Sequence, residues 1–408
     1  MGYKLEDFVS IKKNHSGMDP DSLISICKRY NNSKRSFLFV NRYQAKHIPT
    51  RFKDFEKLTD SLYEEINPAF SKDSNILVIG FAETATGLSA AIMDKLSDVY
   101  ENIWYVQTTR RKLPLKSLDF KEEHSHATEQ YLYWDCDTPI DHIIMIDDEI
   151  TTGKTVRNMV SCLKQYYPNA SYCCVSILNW QTQENTKKFN SYGIRAVSLI
   201  SGALKSDIPS MNDITHEGYL PIVIPDEKNT SRKKTVKKNS IFLTGCSKKQ
   251  FLQYKLNLVS TFTKFFSHNE ELAKKKILIL GTEECMIPAI WLSSLLENSV
   301  SQSTTRSPIT VSSTDGYLIQ KGYSMISNYG DYNVHLYNIP ENEYDAVILI
   351  TDQNAERFAK QIDLLRNTKH IPVFLFSETI QNMQQRKIIN AISETKQNMQ
   401  QRRIINAI

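Results

Sequence analysis

Two adjacent carboxylates, Asp147 and Asp148, end the apolar run His142-Ile143-Ile144-Met145-Ile146, and the hydroxyl-rich string Thr151-Thr152-Gly153-Lys154-Thr155 follows two residues later. Neighbouring acids can grip the two hydroxyls of a vicinal diol. A threonine-rich turn with a glycine, placed where a helix begins, offers N–H and O–H groups to a phosphate. The pair of demands fits a sugar phosphate such as ribose 5-phosphate. The loop is not of the G-x-x-x-x-G-K-[ST] kind, because no glycine stands five residues before Gly153. Positioning these groups requires a buried parallel strand ending at the acids and a helix starting near Val156 and stopped by Pro168.

Length and composition limit the alternatives. At 408 residues the chain exceeds what one core usually organises, so two domains are expected. A net charge of +5 is mild, and no basic stripe interleaved with aromatics suggests nucleic-acid binding. Cys27, Cys136, Cys162, Cys173, Cys174, Cys246 and Cys285 are odd in number and lack C-x-x-C spacing, which points to reduced thiols in the cytoplasm. The chain shows neither a signal-peptide pattern nor an apolar stretch approaching ~20 residues, so no membrane partner is expected.

Other elements surround the central stretch. Residues 1–34 are polar, with a short helix after Asp19-Pro20-Asp21. Phe37 to Val40 reads as a strand, followed by a basic loop in which Lys46 and His47 either contact an anionic substrate or are simply solvated. Phe55, Leu58, Leu62 and Ile66 keep helical spacing up to Asn67-Pro68. Ile76 to Ile79 is a buried strand leading through Gly80-Phe81-Ala82-Glu83-Thr84 to a helix opening at Gly87; taken alone, this reads equally as a plain strand–helix turn packed on small residues. The strand around Trp104 ends in Thr108-Thr109-Arg110-Arg111, and planar guanidinium forks match phosphate oxygens. Lys112 to Tyr131 has no periodicity and holds Glu122-Glu123-His124-Ser125-His126; an H-x-H pair could bind metal but has no clustered third ligand. Ser171–Leu178 and Ile194–Ile200 read as further strands separated by a polar helix.

The strand, acid pair and Thr/Gly loop resemble the signature of type I phosphoribosyltransferases, which act on phosphoribosyl pyrophosphate (PRPP). The resemblance implies a doubly wound, mostly parallel α/β domain. It assigns Asp147 and Asp148 to the ribose hydroxyls and Thr151, Thr152, Gly153, Lys154 and Thr155 to the 5-phosphate. It places Phe81, Ala82, Glu83, Thr84, Arg110 and Arg111 at the pyrophosphate, and His124 and His126 on a loop that closes over PRPP and assists its departure. It further implies Mg²⁺ held by PRPP and, mostly through water, by Asp147 and Asp148, a base as acceptor, and a homodimer. In the 6-oxopurine branch an acid commonly stands where Thr151 stands here, which argues against hypoxanthine or guanine. Some relatives of the fold sense PRPP without turning it over.

The second half echoes the first. Gly80 and Glu83 answer to Gly281 and Glu284, each 201 positions on; Thr108-Thr109-Arg110 returns as Thr304-Thr305-Arg306, 196 on; Asp148 answers to Asp352, 204 on. Three ordered matches suggest a duplication, although two unrelated α/β domains could share such turns. The copy has Thr351 for Asp147 and no Thr/Gly loop, so one PRPP site per chain is expected. Thr305-Arg306-Ser307-Pro308 resembles the TRSP domain, found after a phosphoribosyltransferase domain in tellurite-resistance (Ter) associated biosynthetic clusters; the implied product is nucleoside-like. The expected organisation is an extension (1–34), a phosphoribosyltransferase domain (35–225), a charged linker (226–239), a second doubly wound domain of TRSP type (240–376) and a tail of two near-identical 16-residue copies (377–408), each read as a helix.

Overall fold

A computed structural model of the chain describes residues 3–32, 35–66, 70–121, 129–221, 240–327, 329–339, 343–352, 372–377, 387–391 and 404–407. Three apolar runs form the centre of the first domain, each too short for a helix and buried on both faces: Ile76–Gly80, His142–Ile150 and Ser171–Asn179. They lie in a seven-stranded sheet in the order Val9–Asn14, Ile194–Leu204, Ser171–Asn179, His142–Ile150, Ile76–Gly80, Ile103–Gln107, Cys246–Ser247. The inner pairs are parallel and both edge strands run antiparallel. The N-terminal extension therefore supplies one edge of this sheet. Cys246–Ser247, from the second half, supplies the other. The helices Phe52–Ile66, Thr86–Ser97, Lys154–Leu163 and Gln183–Ser191 flank the sheet.

Strands Ile24–Lys28 and Phe37–Asn41 form a small antiparallel pair, and the helix Pro20–Leu23 starts at Asp19, whose side chain accepts from Ser22 N. The aperiodic stretch after Arg111 contains a hairpin, Leu118–Lys121 with Glu129–Leu132. Its strands are only four residues each, too short for their spacing to stand out in the sequence. His124 and His126 lie outside the described residues, as does the charged linker.

The second domain places Ser299–Ser303, Ile277–Gly281, Ala346–Thr351 and Val373–Ser377 side by side, all parallel. The long helix Lys248–Ser267 opens on a capping box, with Ser247 N donating to Gln250 Oε1 at 2.9 Å. In the tail, where two helices are expected, Lys387–Ala391 and Ile404–Ala407 are antiparallel strands extending this sheet. Each contains Ile-Ile-Asn-Ala: β-branched residues beside an open sheet edge gain ladder partners that a lone helical turn would not supply.

One continuous apolar core runs through both domains. Tyr105 of the first packs edge-on against Phe242 and Phe251 of the second, with ring centroids 5.7 and 5.6 Å apart. All seven cysteines are free thiols. No helix among the described residues is long and apolar enough to cross a membrane.

Two buried histidines link this packing to pH. Burial depresses both His47 and His335 to about 4, with the Lys46 ammonium adding to the effect at His47. Unfolded, each would titrate near 6.5, so between about pH 6.5 and 4 the unfolded chain binds more protons. Stability is then complete above pH 6.5 and falls as pH drops, by up to about 1.4 kcal/mol per pH unit for each histidine. Urea midpoints measured from pH 7 to 5 should decline; a flat profile would contradict neutral burial.

Candidate active site

The His142–Ile150 strand carries its acids to the carboxyl edge of the sheet, the usual location of ligand sites in doubly wound folds. Asp147 and Asp148 are half-buried there. Asp148 N donates to Asp147 Oδ1 at 2.9 Å, and Thr84 Oγ1 donates to Asp148 Oδ1 at 2.8 Å. The Thr84 carbonyl in turn accepts from Gln44 Nε2 at 2.9 Å. Thr84 and Asp148, 64 residues apart in sequence, thus meet.

Thr151 to Thr155 turn directly into the helix Lys154–Leu163, where the Lys154 N–H donates to Thr152 Oγ1 at 3.3 Å and the Arg157 N–H to Gly153 O at 3.0 Å. Gly153 caps that helix in the left-handed region at φ 65°. A side chain there would also collide: a Cβ would sit 2.7 Å from the Phe189 ring and 2.8 Å from Gln181 Nε2. Gly153→Ala is expected to cost roughly 1–3 kcal/mol of local strain and to weaken ribose 5-phosphate binding, as read by thermal unfolding and calorimetry. Unchanged phosphate affinity would remove the loop from the site.

The Phe81–Thr84 turn is held from both sides. Phe81 N donates to Ile146 O at 2.9 Å and Ala82 N to Thr108 Oγ1 at 2.8 Å, while Gln130 Nε2 reaches Ala82 O at 3.1 Å. The Ala82–Glu83 peptide is cis. Two of the four amides expected to face pyrophosphate are therefore engaged within the protein. Among the described residues, the Glu83 and Thr84 N–H groups have no acceptor.

The cations fall differently from the sequence expectation. Lys46 is fully buried, 2.6 Å from Glu83, and donates to the carbonyls of Glu283 and Thr304 in the second domain at 2.8 and 2.9 Å. Neither Lys46 nor His47, itself buried, reaches solvent. Burial pushes the Lys46 ammonium down and works against ionisation of Glu83 too, yet Lys46, Arg110 and Arg306 together hold Glu83 down to about 2. With three cations about one carboxylate, the ionised Glu83 is the favoured state. Arg111 also points into the second domain: Nη2 lies 3.2 Å from Asp352, Nε 3.4 Å from Glu284, and the guanidinium stacks 4.3 Å over Tyr329. Arg110 remains near the turn, its N–H donating to Glu284 at 3.1 Å.

Sequence reasoning missed a second cluster beside the acids. Arg35 makes a two-pronged pair with Glu149 at 2.8 and 3.1 Å and lies 5.2 Å over Phe39, whose ring is 5.4 Å from Trp180. Trp180 Nε1 and both carboxamide atoms of Gln181 are buried with no hydrogen-bond partner. The residue types were visible, but nothing in their spacing joined them. A cavity of about 110 Å³ lies elsewhere, in the seam between the domains near Phe52, Gly87, Lys255 and Trp291, and shares no residue with the acid–threonine stretch.

Residues 23–203 match the family described as phosphoribosyl transferase. Those residues are a phosphoribosyltransferase domain. Residues 245–366 match the TRSP domain found C-terminal to that domain. Similar solved structures include adenine phosphoribosyltransferase from Rhodothermus marinus, 13% identical, over 44% of this chain and 94% of that one, with a TM-score of 0.32. Another is the Trypanosoma brucei adenine phosphoribosyl transferase in complex with AMP, pyrophosphate and ribose-5-phosphate, 13% identical over 48% and 84%, TM-score 0.33. A third, from Giardia lamblia with 9-deazaadenine, is 12% identical over 43% and 93%, TM-score 0.31. No curated protein matches the chain. The phosphoribosyltransferase domain thus contains every described residue named above for the sugar, the 5-phosphate and the pyrophosphate.

Proposed function

We propose that the chain transfers the phosphoribosyl group of PRPP to a nitrogen of a base, releasing pyrophosphate. The observation that carries this reading is the meeting of Asp147, Asp148 and Thr84 with a threonine-lined loop at a helix N-terminus. The acceptor nitrogen forms a bond to the anomeric carbon as the carbon–oxygen bond to pyrophosphate breaks. Pyrophosphate takes the electron pair, and the acceptor loses a proton to solvent.

In this reading Asp147 and Asp148 hold the ribose hydroxyls and orient the anomeric carbon. Thr151 to Thr155 hold the 5-phosphate, and the Glu83 and Thr84 amides with Arg110 face the leaving group. The acceptor lies against Phe39 and Trp180, where the unpartnered Gln181 carboxamide offers one donor and one acceptor to a base edge. Mg²⁺, when bound, would neutralise pyrophosphate charge, with Asp147 and Asp148 holding it through its water shell. Among the described residues no group of three or more His, Cys, Asp or Glu forms a ligand cage. Two half-buried carboxylates suit a hydrated ion better than a dehydrated one. A nucleoside-like product of a tellurite-resistance cluster is the biosynthetic setting this proposal favours.

The test is pyrophosphate release from PRPP and Mg²⁺ across a panel of purine, pyrimidine and other heterocyclic bases. Release with at least one base supports transfer. Tight PRPP binding without turnover on any base would make the chain a sensor, and absence of PRPP binding would sink the reading.

A further inference from the structure

The sequence echo is reproduced strand by strand. In the first domain Ile103–Gln107, Ile76–Gly80, His142–Ile150 and Ser171–Asn179 are neighbours in that order; in the second, Ser299–Ser303, Ile277–Gly281, Ala346–Thr351 and Val373–Ser377 are. The register agrees as well, since Gly80 pairs with Gln107 and Ile146 while Gly281 pairs with Ser303 and Ile350. Even the turn bonds repeat. Thr108 Oγ1 accepts from Ala82 N at 2.8 Å and Thr304 Oγ1 from Glu283 N at 3.0 Å. Asp141 accepts from Asn75 N at 2.8 Å and Asp345 from Lys276 N at 2.9 Å.

The two copies clasp each other reciprocally. Glu284 accepts from Thr109 Oγ1 at 2.6 Å and Arg110 N at 3.1 Å, while Glu83 accepts from Arg306 N at 3.3 Å. The symmetry breaks at the acid pair. Asp148, half-buried, receives only a hydroxyl from its own domain among the bonds described. Asp352, its counterpart, is buried and receives Arg111 Nη2 at 3.2 Å and the Tyr329 hydroxyl at 2.5 Å. Thr351, in the place of Asp147, accepts from Thr282 Oγ1 at 3.0 Å.

We propose that the second domain is a copy of the first whose sugar site has become a socket for Arg111, and that this socket positions the Thr108–Arg111 segment against the pyrophosphate end of PRPP. This rests on the PRPP reading above. Arg111 is a positioning residue: its charge is spent on Asp352 and Glu284, so it reaches the substrate only through the backbone it fixes. The anchoring is local and two-sided. Arg111 O accepts from the Tyr133 hydroxyl at 3.2 Å, and that hydroxyl accepts from Leu113 N at 2.6 Å, tying the segment to the far end of the hairpin. Loss of the socket frees the segment bearing Arg110 but leaves the 5-phosphate loop untouched. The pyrophosphate end of the ligand, and not the sugar phosphate end, should register the change.

Calorimetry on the full chain with Mg²⁺ tests this, using PRPP and ribose 5-phosphate as separate probes. The wild type should bind one PRPP per chain. Asp352→Asn should weaken PRPP about tenfold while leaving ribose 5-phosphate unchanged. Tyr329→Phe keeps every charge and the ring beneath Arg111, so it serves if Asp352→Asn does not fold; it should weaken PRPP by roughly two- to threefold with the same selectivity. Two PRPP per chain, equal losses for both probes, or no loss in either variant would overturn the socket while leaving the transferase reading standing. A wild type that binds no PRPP would overturn both.

Discussion

Asp148→Asn is expected to lower PRPP turnover by roughly 10²-fold or more while leaving thermal unfolding nearly unchanged. The substitution keeps shape and volume, and an amide oxygen can still accept from Thr84 Oγ1, now 2.8 Å away. What it removes is the charge and one acceptor, so an NH₂ group is presented to a ribose hydroxyl that the carboxylate would have received. The sugar then binds askew, and the anomeric carbon loses its alignment with the acceptor. Asp147→Asn should act in the same direction, its oxygen still accepting from Asp148 N. Steady-state pyrophosphate release, with an unfolding curve beside it, separates this from collapse. Turnover within a factor of three of wild type would take Asp148 out of the site.

Glu83→Ala is expected to produce the largest loss of stability, about 3–5 kcal/mol. Lys46 is sealed from solvent, and its remaining partners are the neutral carbonyls of Glu283 and Thr304. Truncating the carboxylate removes the ammonium's paired counter-charge and leaves only the weaker fields of Glu283 and Glu284. It also strands Arg306 N, which donates to Glu83 at 3.3 Å across the domain seam. Joint replacement of Lys46 by Met and Glu83 by Leu should cost much less, because no lone charge is then buried. Urea unfolding of the three variants checks the cycle. A loss under about 1 kcal/mol for Glu83→Ala would mean the pair is hydrated and adds little.

The parts of the site legible in the sequence share one property: their chemistry is contiguous in the chain. The acids, the threonines and Gly153 lie within nine residues, and the strand, turn and helix that present them are specified locally by an apolar run and a glycine. The repeat offsets were also visible, since a duplication preserves order. The hairpin from Leu118 was not, because its strands are only four residues each and the second, Glu-Gln-Tyr-Leu, does not alternate. The tail strands were misread for a related reason: Ile-Ile-Asn-Ala suits helix and strand alike until an open sheet edge stands beside it.

The doubly wound domain, and the closeness of Asp147 and Asp148 to the Thr151–Thr155 turn, follow from the sequence alone. Only the tertiary structure decided where the cations go. Lys46, His47 and Arg111 look like substrate ligands in a linear reading, yet the packing of one copy on the other turns Lys46 and Arg111 toward buried carboxylates and seals His47 beside them. Charge and spacing name a possible partner. Which partner is taken depends on what lies within about 4 Å, and here those atoms include Asp352, 241 positions from Arg111, and the carbonyls of Glu283 and Thr304, 237 and 258 positions from Lys46.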